Sequence, residues 1–243
     1  MEFKLVKSNI INVPANAVVL PANSRLREGS GTSAAIFKAA GKSNLKKACN
    51  EIGHCDIGSA VVTHAYNMQY PDYIIHAVVP RWKGGNHNEY GLLSSAYLTS
   101  LKIADIMKCE SIAFPLLSSG NNGFDRKLAF QIAKESIESF KGSNLKKVIL
   151  VIFGDTAECL IRSLGYSVDV IYEAFPINEE PSFADKTKEV ALQGLKAAED
   201  WLKKPENIKK LLKMGVTIAT TVAPNEKAQV FLKKINKSIN NKN

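Results

Sequence analysis

Residues 18–41 read VVLPANSRLREGSGTSAAIFKAAG. The apolar run Val18, Val19, Leu20 gives way to Pro21-Ala22-Asn23, a polar loop closes on Gly29-Ser30-Gly31, and a small-residue helix opens at about Thr32. A strand feeding a glycine-bearing turn that opens a helix is a common anion cradle. Glycines let the backbone come close, and unpaired N–H groups at the helix start point at the anion. Residues 111–133, SIAFPLLSSGNNGFDRKLAFQIA, repeat the pattern: an apolar strand, the loop Ser118-Ser119-Gly120-Asn121-Asn122-Gly123, then a helix. Two such loops at the ends of neighbouring strands can clamp a diphosphate, and two ordinary strand-to-helix turns look the same. The patterns alone leave both readings open.

Working outward, strands are expected near residues 3–6, 17–20, 60–65, 73–78, 111–116 and 147–153. Helical patterns fall near 32–40, 44–52, 89–107, 126–140 and 157–164. In the longest helix Leu92, Leu93, Ala96, Tyr97, Ser100, Ile103, Ala104 and Met107 recur at three and four, as packing on a sheet requires. Strands alternating with helices of this length predict a mainly parallel sheet covered on both faces.

Taken in order, these segments resemble the macrodomain family. Leu20-Pro21-Ala22-Asn23 followed by Gly29-Ser30-Gly31-Thr32-Ser33-Ala34 corresponds to the family's first loop, Asn-Ala-Ala-Asn and then Gly-Gly-Gly-Val-Asp-Gly. Ser118-Ser119-Gly120-Asn121-Asn122-Gly123-Phe124-Asp125 corresponds to the second, Ser-Thr-Gly-x-x-Gly-Tyr-Pro. Residues 62–67 and 73–78 look like the two middle strands. The resemblance runs from about Lys4 to Leu164 and implies a three-layer α/β/α sandwich with a mixed, mainly parallel sheet.

It also implies a ligand, ADP-ribose, free or carried on a modified protein. The adenine-recognising acid falls on Asn9, beside Ile10; a neutral amide there still accepts from the exocyclic amine. The aromatic that stacks on adenine falls on Phe153. Gly29, Ser30, Gly31, Thr32 and Ser33 line one side of the diphosphate. Ser118, Ser119, Gly120, Asn121, Asn122, Gly123 and Phe124 line the other, with Phe124 beside the distal ribose. Asn23 would bond the distal ribose hydroxyls. Read as residues alone, Phe153 fits a core position at a strand end, and Asn9 fits a turn cap.

Catalysis is where the sequence departs from the family. The water-orienting aspartate of the first loop is Ser33 here, and a hydroxyl is a poor base at neutral pH. A second hydrolase branch uses an aspartate just after the second loop, paired with a lysine; Asp125 occupies that place, with Arg81 and Lys83 in the lysine's region. Asp125 and Asn23 are therefore the candidates for chemistry, in an ADP-ribosyl hydrolase or in a reader that binds without cleaving. Asp125 before Arg126-Lys127-Leu128 equally suits a helix N-cap.

Composition frames these readings. The chain has 243 residues, 45% hydrophobic, enough for one medium domain and an extension. No signal-like N-terminal run and no apolar stretch of ~20 residues points to secretion or a membrane span. Four cysteines without a CxxC pair suit a reducing cytoplasm, the expected location. His54-Cys55-Asp56 with Cys49 falls where the family has a non-ligand cysteine, so no metal is expected, and no cofactor. His64 and His76, inside apolar strands, are expected as hydrogen-bonded core residues. Residues 83–88, KGGNHN, read as a mobile loop bordering the distal pocket.

The net charge of +9 is unevenly spread. Residues 1–181 carry 19 Lys and Arg against 17 Asp and Glu; residues 182–243 carry 13 against 6. Basicity thus belongs to the tail, without the interleaved aromatics of a single-strand-binding surface, so nucleic acid is expected only through that tail, if at all. The organisation read from sequence is a domain over 1–168, a linker over 169–184 and a small, basic helical C-terminal extension over 185–243.

Overall fold

The computed structural model describes residues 1–170. The basic extension, and the linker beyond residue 170, lie outside the described residues. The strands are β1 (Glu2–Lys7), β2 (Ala17–Ala22), β3 (Ala60–His64), β4 (Tyr73–Val78), β5 (Ser111–Pro115), β6 (Lys147–Ile152) and β7 (Asp169–Val170). The helices are α1 (Thr32–Ala40), α2 (Lys42–Ile52), α3 (Glu89–Ile106), α4 (Arg126–Ser139) and α5 (Asp155–Ser163). One sheet runs β3-β4-β2-β5-β6-β1-β7, and every neighbouring pair is parallel except β3 with β4.

Alternation along the strands separates two cores. Val18, Leu20 and Ala22 of β2, Ile74 and Val78 of β4, and Ile149 and Val151 of β6 join Ile36, Phe37, Leu45 and Cys49 of α1 and α2. On the opposite face Tyr97 of α3 meets Phe114 of β5, ring centres 5.1 Å apart, and α3 packs along α4. The central strands are buried on both sides, which is why they read as continuous apolar runs. The result is the expected α/β/α sandwich with a mixed, mainly parallel sheet.

Three local features differ from the sequence reading. β2 continues through Pro21 to Ala22, pairing Pro21 with Ala77 of β4. Its pairing with β5 is confined to Ala17 and Val18, so the missing N–H of Pro21 leaves no partner unmet on that side. Asp169 and Val170, placed in the linker from sequence, pair with Val6 and Lys7 as a parallel edge strand. Finally, His64 ends the edge strand β3 and is exposed, whereas His76 is fully buried and shares a hydrogen bond with Thr63 Oγ1 at 2.9 Å.

Candidate functional site

β2, β5, β6 and β1 lie side by side and parallel, so their C-terminal ends open on one edge of the sheet. The residues singled out from sequence follow those four ends. Asn23 and residues 29–33 follow β2, residues 118–125 follow β5, Phe153 follows β6, and Asn9 and Ile10 follow β1. In open α/β sheets this edge is where ligands bind, because loops and helix N-termini converge there.

The first loop is braced by Asn23. Its Oδ1 accepts from the Arg25 and Arg27 N–H groups, both at 3.2 Å, while its Nδ2 donates to the Arg27 carbonyl at 2.7 Å. The loop ends at Gly31, with φ +57° and ψ −125°, which precedes α1 without any side-chain cap. An L-residue rarely adopts that backbone, and a capping side chain there would compete with an anion for the first amides of the helix. Ser33 is buried and its Oγ accepts from the Gly29 N–H at 3.0 Å. The Ser33 hydroxyl therefore helps shape the loop.

The second loop folds on itself. Gly123 N–H donates to Gly120 O at 2.9 Å, and Phe124 N–H to Ser118 O at 3.2 Å. Ser118, at φ +62°, donates its hydroxyl to Pro80 O, and Ser119 Oγ donates to Leu116 O. At the base, Tyr97 Oη accepts from the Leu117 N–H at 3.0 Å. Across the opening Asn121 Nδ2 donates to Ser30 Oγ at 2.8 Å, so the two glycine loops touch. Phe124 is buried, its ring packed edge-on to Trp82 at 5.1 Å.

At the other end of this edge, Asn9 Oδ1 accepts from the Ile11 N–H at 3.4 Å and caps a short 3-10 turn over Ile10–Asn12. Ile10 is buried beneath it. Phe153 is 77% exposed, although it directly follows a strand whose last five residues are buried. A phenyl ring this exposed is not core packing; it is a free apolar face beside the end of β1.

Asp125 stands at the N-cap of α4 and its Oδ1 accepts from the Leu128 N–H at 3.0 Å. The cap accounts for that oxygen, and the carboxylate remains exposed. Arg81 and Lys83 are exposed after β4. The His54, Cys55 and Cys49 set disperses: His54 Nε2 meets Asp56 Oδ1 at 3.1 Å, Cys55 Sγ turns to the Asp56 carbonyl, and Cys49 Sγ lies 3.9 Å from His76 Nδ1. Burial pushes the Cys49 thiol up to about 12 and the Cys55 thiol to about 11, so neither is a ready thiolate.

Two residues of this edge escaped the sequence reading. Trp82 donates its backbone N–H to Asn122 O at 2.8 Å, and its ring packs between Phe124 and Tyr90. Glu89, the first residue of α3, is buried and gathers the preceding loop. Its Oε1 accepts from the Lys83 and Gly85 N–H groups at 2.9 and 3.1 Å, and its Oε2 from the His87 N–H at 2.6 Å. Burial opposes its ionisation, but these amides and its own N–H outweigh that and hold the carboxyl down at about 2. The loop expected to be mobile is thus wrapped around one carboxylate. The only signal in the sequence was a glutamate after a Gly-Gly loop, which looks like any acidic first turn.

Comparison with known proteins bears on the site. A family model described as Macro domain matches residues 19–133. A macro domain-containing protein of Caldanaerobacter subterraneus subsp. tengcongensis is 44% identical over 158 residues, covering 63% of this chain and 90% of its own. An O-acetyl-ADP-ribose deacetylase of Escherichia fergusonii is 40% identical over 140 residues, 56% of this chain and 78% of its own. Among solved structures, a mutant of the Oceanobacillus iheyensis macrodomain with ADPR superposes with a TM-score of 0.60 at 26% identity, covering 65% of this chain and 88% of that one.

Proposed function

Because this chain belongs to the macrodomain family, we propose that it binds ADP-ribose, free or attached to a protein, one molecule per chain along the edge formed by β2, β5, β6 and β1. Adenine stacks on Phe153 and its amine donates to Asn9. The diphosphate lies between Gly29–Ser33 and Ser118–Phe124, and the distal ribose reaches Asn23. The observation that supports this most is the exposed Phe153 ring. It lies on the same sheet edge as two glycine loops that touch through Asn121 and Ser30. Such a layout offers one apolar platform and one anion cradle, the two things an adenine diphosphate needs. Calorimetry with ADP-ribose tests it, and no heat or thermal shift at millimolar ligand would overturn it.

The chemistry this arrangement supports is slow hydrolysis at most. Ser33 supplies no charge and its hydroxyl is already engaged by the Gly29 N–H. Asp125 is the carboxylate through which removal of an ADP-ribosyl or acetyl group would run, since its exposed oxygen is not needed for the cap. The similarity to an O-acetyl-ADP-ribose deacetylase favours keeping that second reading. A hydrolysis assay on ADP-ribosylated protein and on an acetyl ester of ADP-ribose decides between reader and eraser.

A further inference from the structure

Residues 80–90 and the second glycine loop are laced together at three points. Ser118 donates its hydroxyl to the Pro80 carbonyl at 3.0 Å. The backbone N–H of Trp82 donates to the Asn122 carbonyl at 2.8 Å. The Trp82 ring packs edge-on to buried Phe124, and a Cβ on Gly123 would sit 3.7 Å from Trp82 Cβ. The shape of the second loop therefore depends on where Trp82 stands.

Trp82 in turn is set by the residues on its C-terminal side. Tyr90 packs edge-on to its ring at 5.7 Å, and a Cβ on Gly85 would come within 3.1 Å of Trp82 Cη2, so the Gly84-Gly85 turn passes directly over the indole. That turn is folded about Glu89, which takes the N–H groups of Lys83, Gly85 and His87 on its two oxygens. Charge-assisted bonds of this kind are the stronger class, and three alternate amides on one buried carboxylate leave the turn a single compact conformation.

We propose that Glu89 is a positioning residue for the anion loop: it holds the 83–88 turn against Trp82, and Trp82 holds residues 118–124 in the conformation that receives the diphosphate. Glu89 touches no ligand itself. This inference rests on the reading of residues 118–124 as the diphosphate loop. Its energetic content is pre-organisation, since a loop already in its bound shape has no ordering cost left to meet on association.

The test separates the two ends of the ligand. Glutamine at 89 keeps the length and burial but offers one acceptor oxygen and sets an N–H₂ against an amide. Glu89→Gln is expected to weaken ADP-ribose about tenfold, as the loss of one charge-assisted bond predicts, while adenosine, which rests on Phe153 and Asn9 alone, binds within about twofold of wild type by ligand-observed NMR. A uniform loss for both ligands, or none, would overturn the proposal. Trp82→Ala should reproduce the split, and the double variant should lose little more than either single one, because the two residues act in series. Additive losses would count against it. If Glu89→Gln does not fold, Trp82→Ala carries the test alone, and an unchanged ratio of the two affinities overturns the proposal. Wild-type protein that binds neither ligand would overturn the site reading itself, a result distinct from wild-type binding with an unmoved ratio.

Discussion

Asp125 caps the helix whose third amide it would otherwise leave bare: its Oδ1 lies 3.0 Å from the Leu128 nitrogen. Capping and chemistry can be separated by substitution. Asparagine caps nearly as well as aspartate, whereas alanine costs about 1 kcal/mol. Asp125→Ala should therefore lower stability in urea by about that amount, with ADP-ribose affinity kept within a few fold. Asp125→Asn should restore stability but not turnover, because an amide takes no proton. An asparagine variant that hydrolyses as fast as wild type removes Asp125 from the chemistry.

Phe153 offers a cleaner handle, being so exposed that its loss should leave unfolding unchanged. Stacking of a base on an aromatic ring contributes about 1–3 kcal/mol, so Phe153→Ala should weaken ADP-ribose by about tenfold or more. Ribose 5-phosphate, which has no base, should bind both proteins alike. Equal affinity of the two proteins for ADP-ribose would return Phe153 to the status of a surface residue.

Gly123 tests the opposite end. Its φ of +79° suits glycine, and a glutamate there adds both backbone strain of about 1–2 kcal/mol and a negative charge facing the diphosphate. Gly123→Glu should abolish detectable ADP-ribose binding by calorimetry while circular dichroism still reports a folded domain. Binding of that variant within a few fold of wild type would place the phosphates elsewhere.

Asn9 predicts selectivity. A neutral acceptor for the adenine amine is worth about 1 kcal/mol, roughly half the value of a charged one. Asn9→Asp should therefore widen the preference for ADP-ribose over IDP-ribose, measured as a ratio of dissociation constants. An unchanged ratio would mean that residue 9 does not read the base.

His76 gives the fold a pH dependence. It is fully buried, and burial pushes its pKa down from 6.5 to about 4. The unfolded chain binds the proton first, so the stability is complete above pH 6.5 and is lost as pH falls towards 4. Between pH 7 and pH 5 this one group removes about 2 kcal/mol. The difference in urea stability between those pH values should shrink by that amount in His76→Gln, and an identical difference in both proteins would assign the loss to other groups.

The range of the forces involved decides which features were legible in the sequence. Strand and helix positions came through because Val18–Leu20 is an unbroken apolar run and Leu93, Ala96 and Tyr97 recur at helical spacing. The exposure of Phe153 did not: five buried residues precede it, and only the turn at Gly154, φ +85°, releases it from the pattern. Likewise Asp125 showed both its possible roles in sequence, and the Leu128 amide establishes one of them. Glu89 was invisible because its partners are backbone amides, which every residue but proline possesses. Their convergence on one carboxylate exists only once the chain has turned.

The pairing of Glu2 with Lys147, and so on to Lys7 with Ile152, has a consequence for the order in which the chain can be made. β1 leaves the ribosome before the other strands, yet both of its neighbours, β6 and β7, come from the end of the domain. Until synthesis passes the last residues of β6, the first strand has no ladder to join, and contacts of such long sequence separation form late in folding. Asn9 and Phe153, which follow β1 and β6, come to neighbouring strand ends only when that strand is laid in place. A nascent chain stopped short of β6 would hold both glycine loops and still lack Phe153, half of the proposed adenine site.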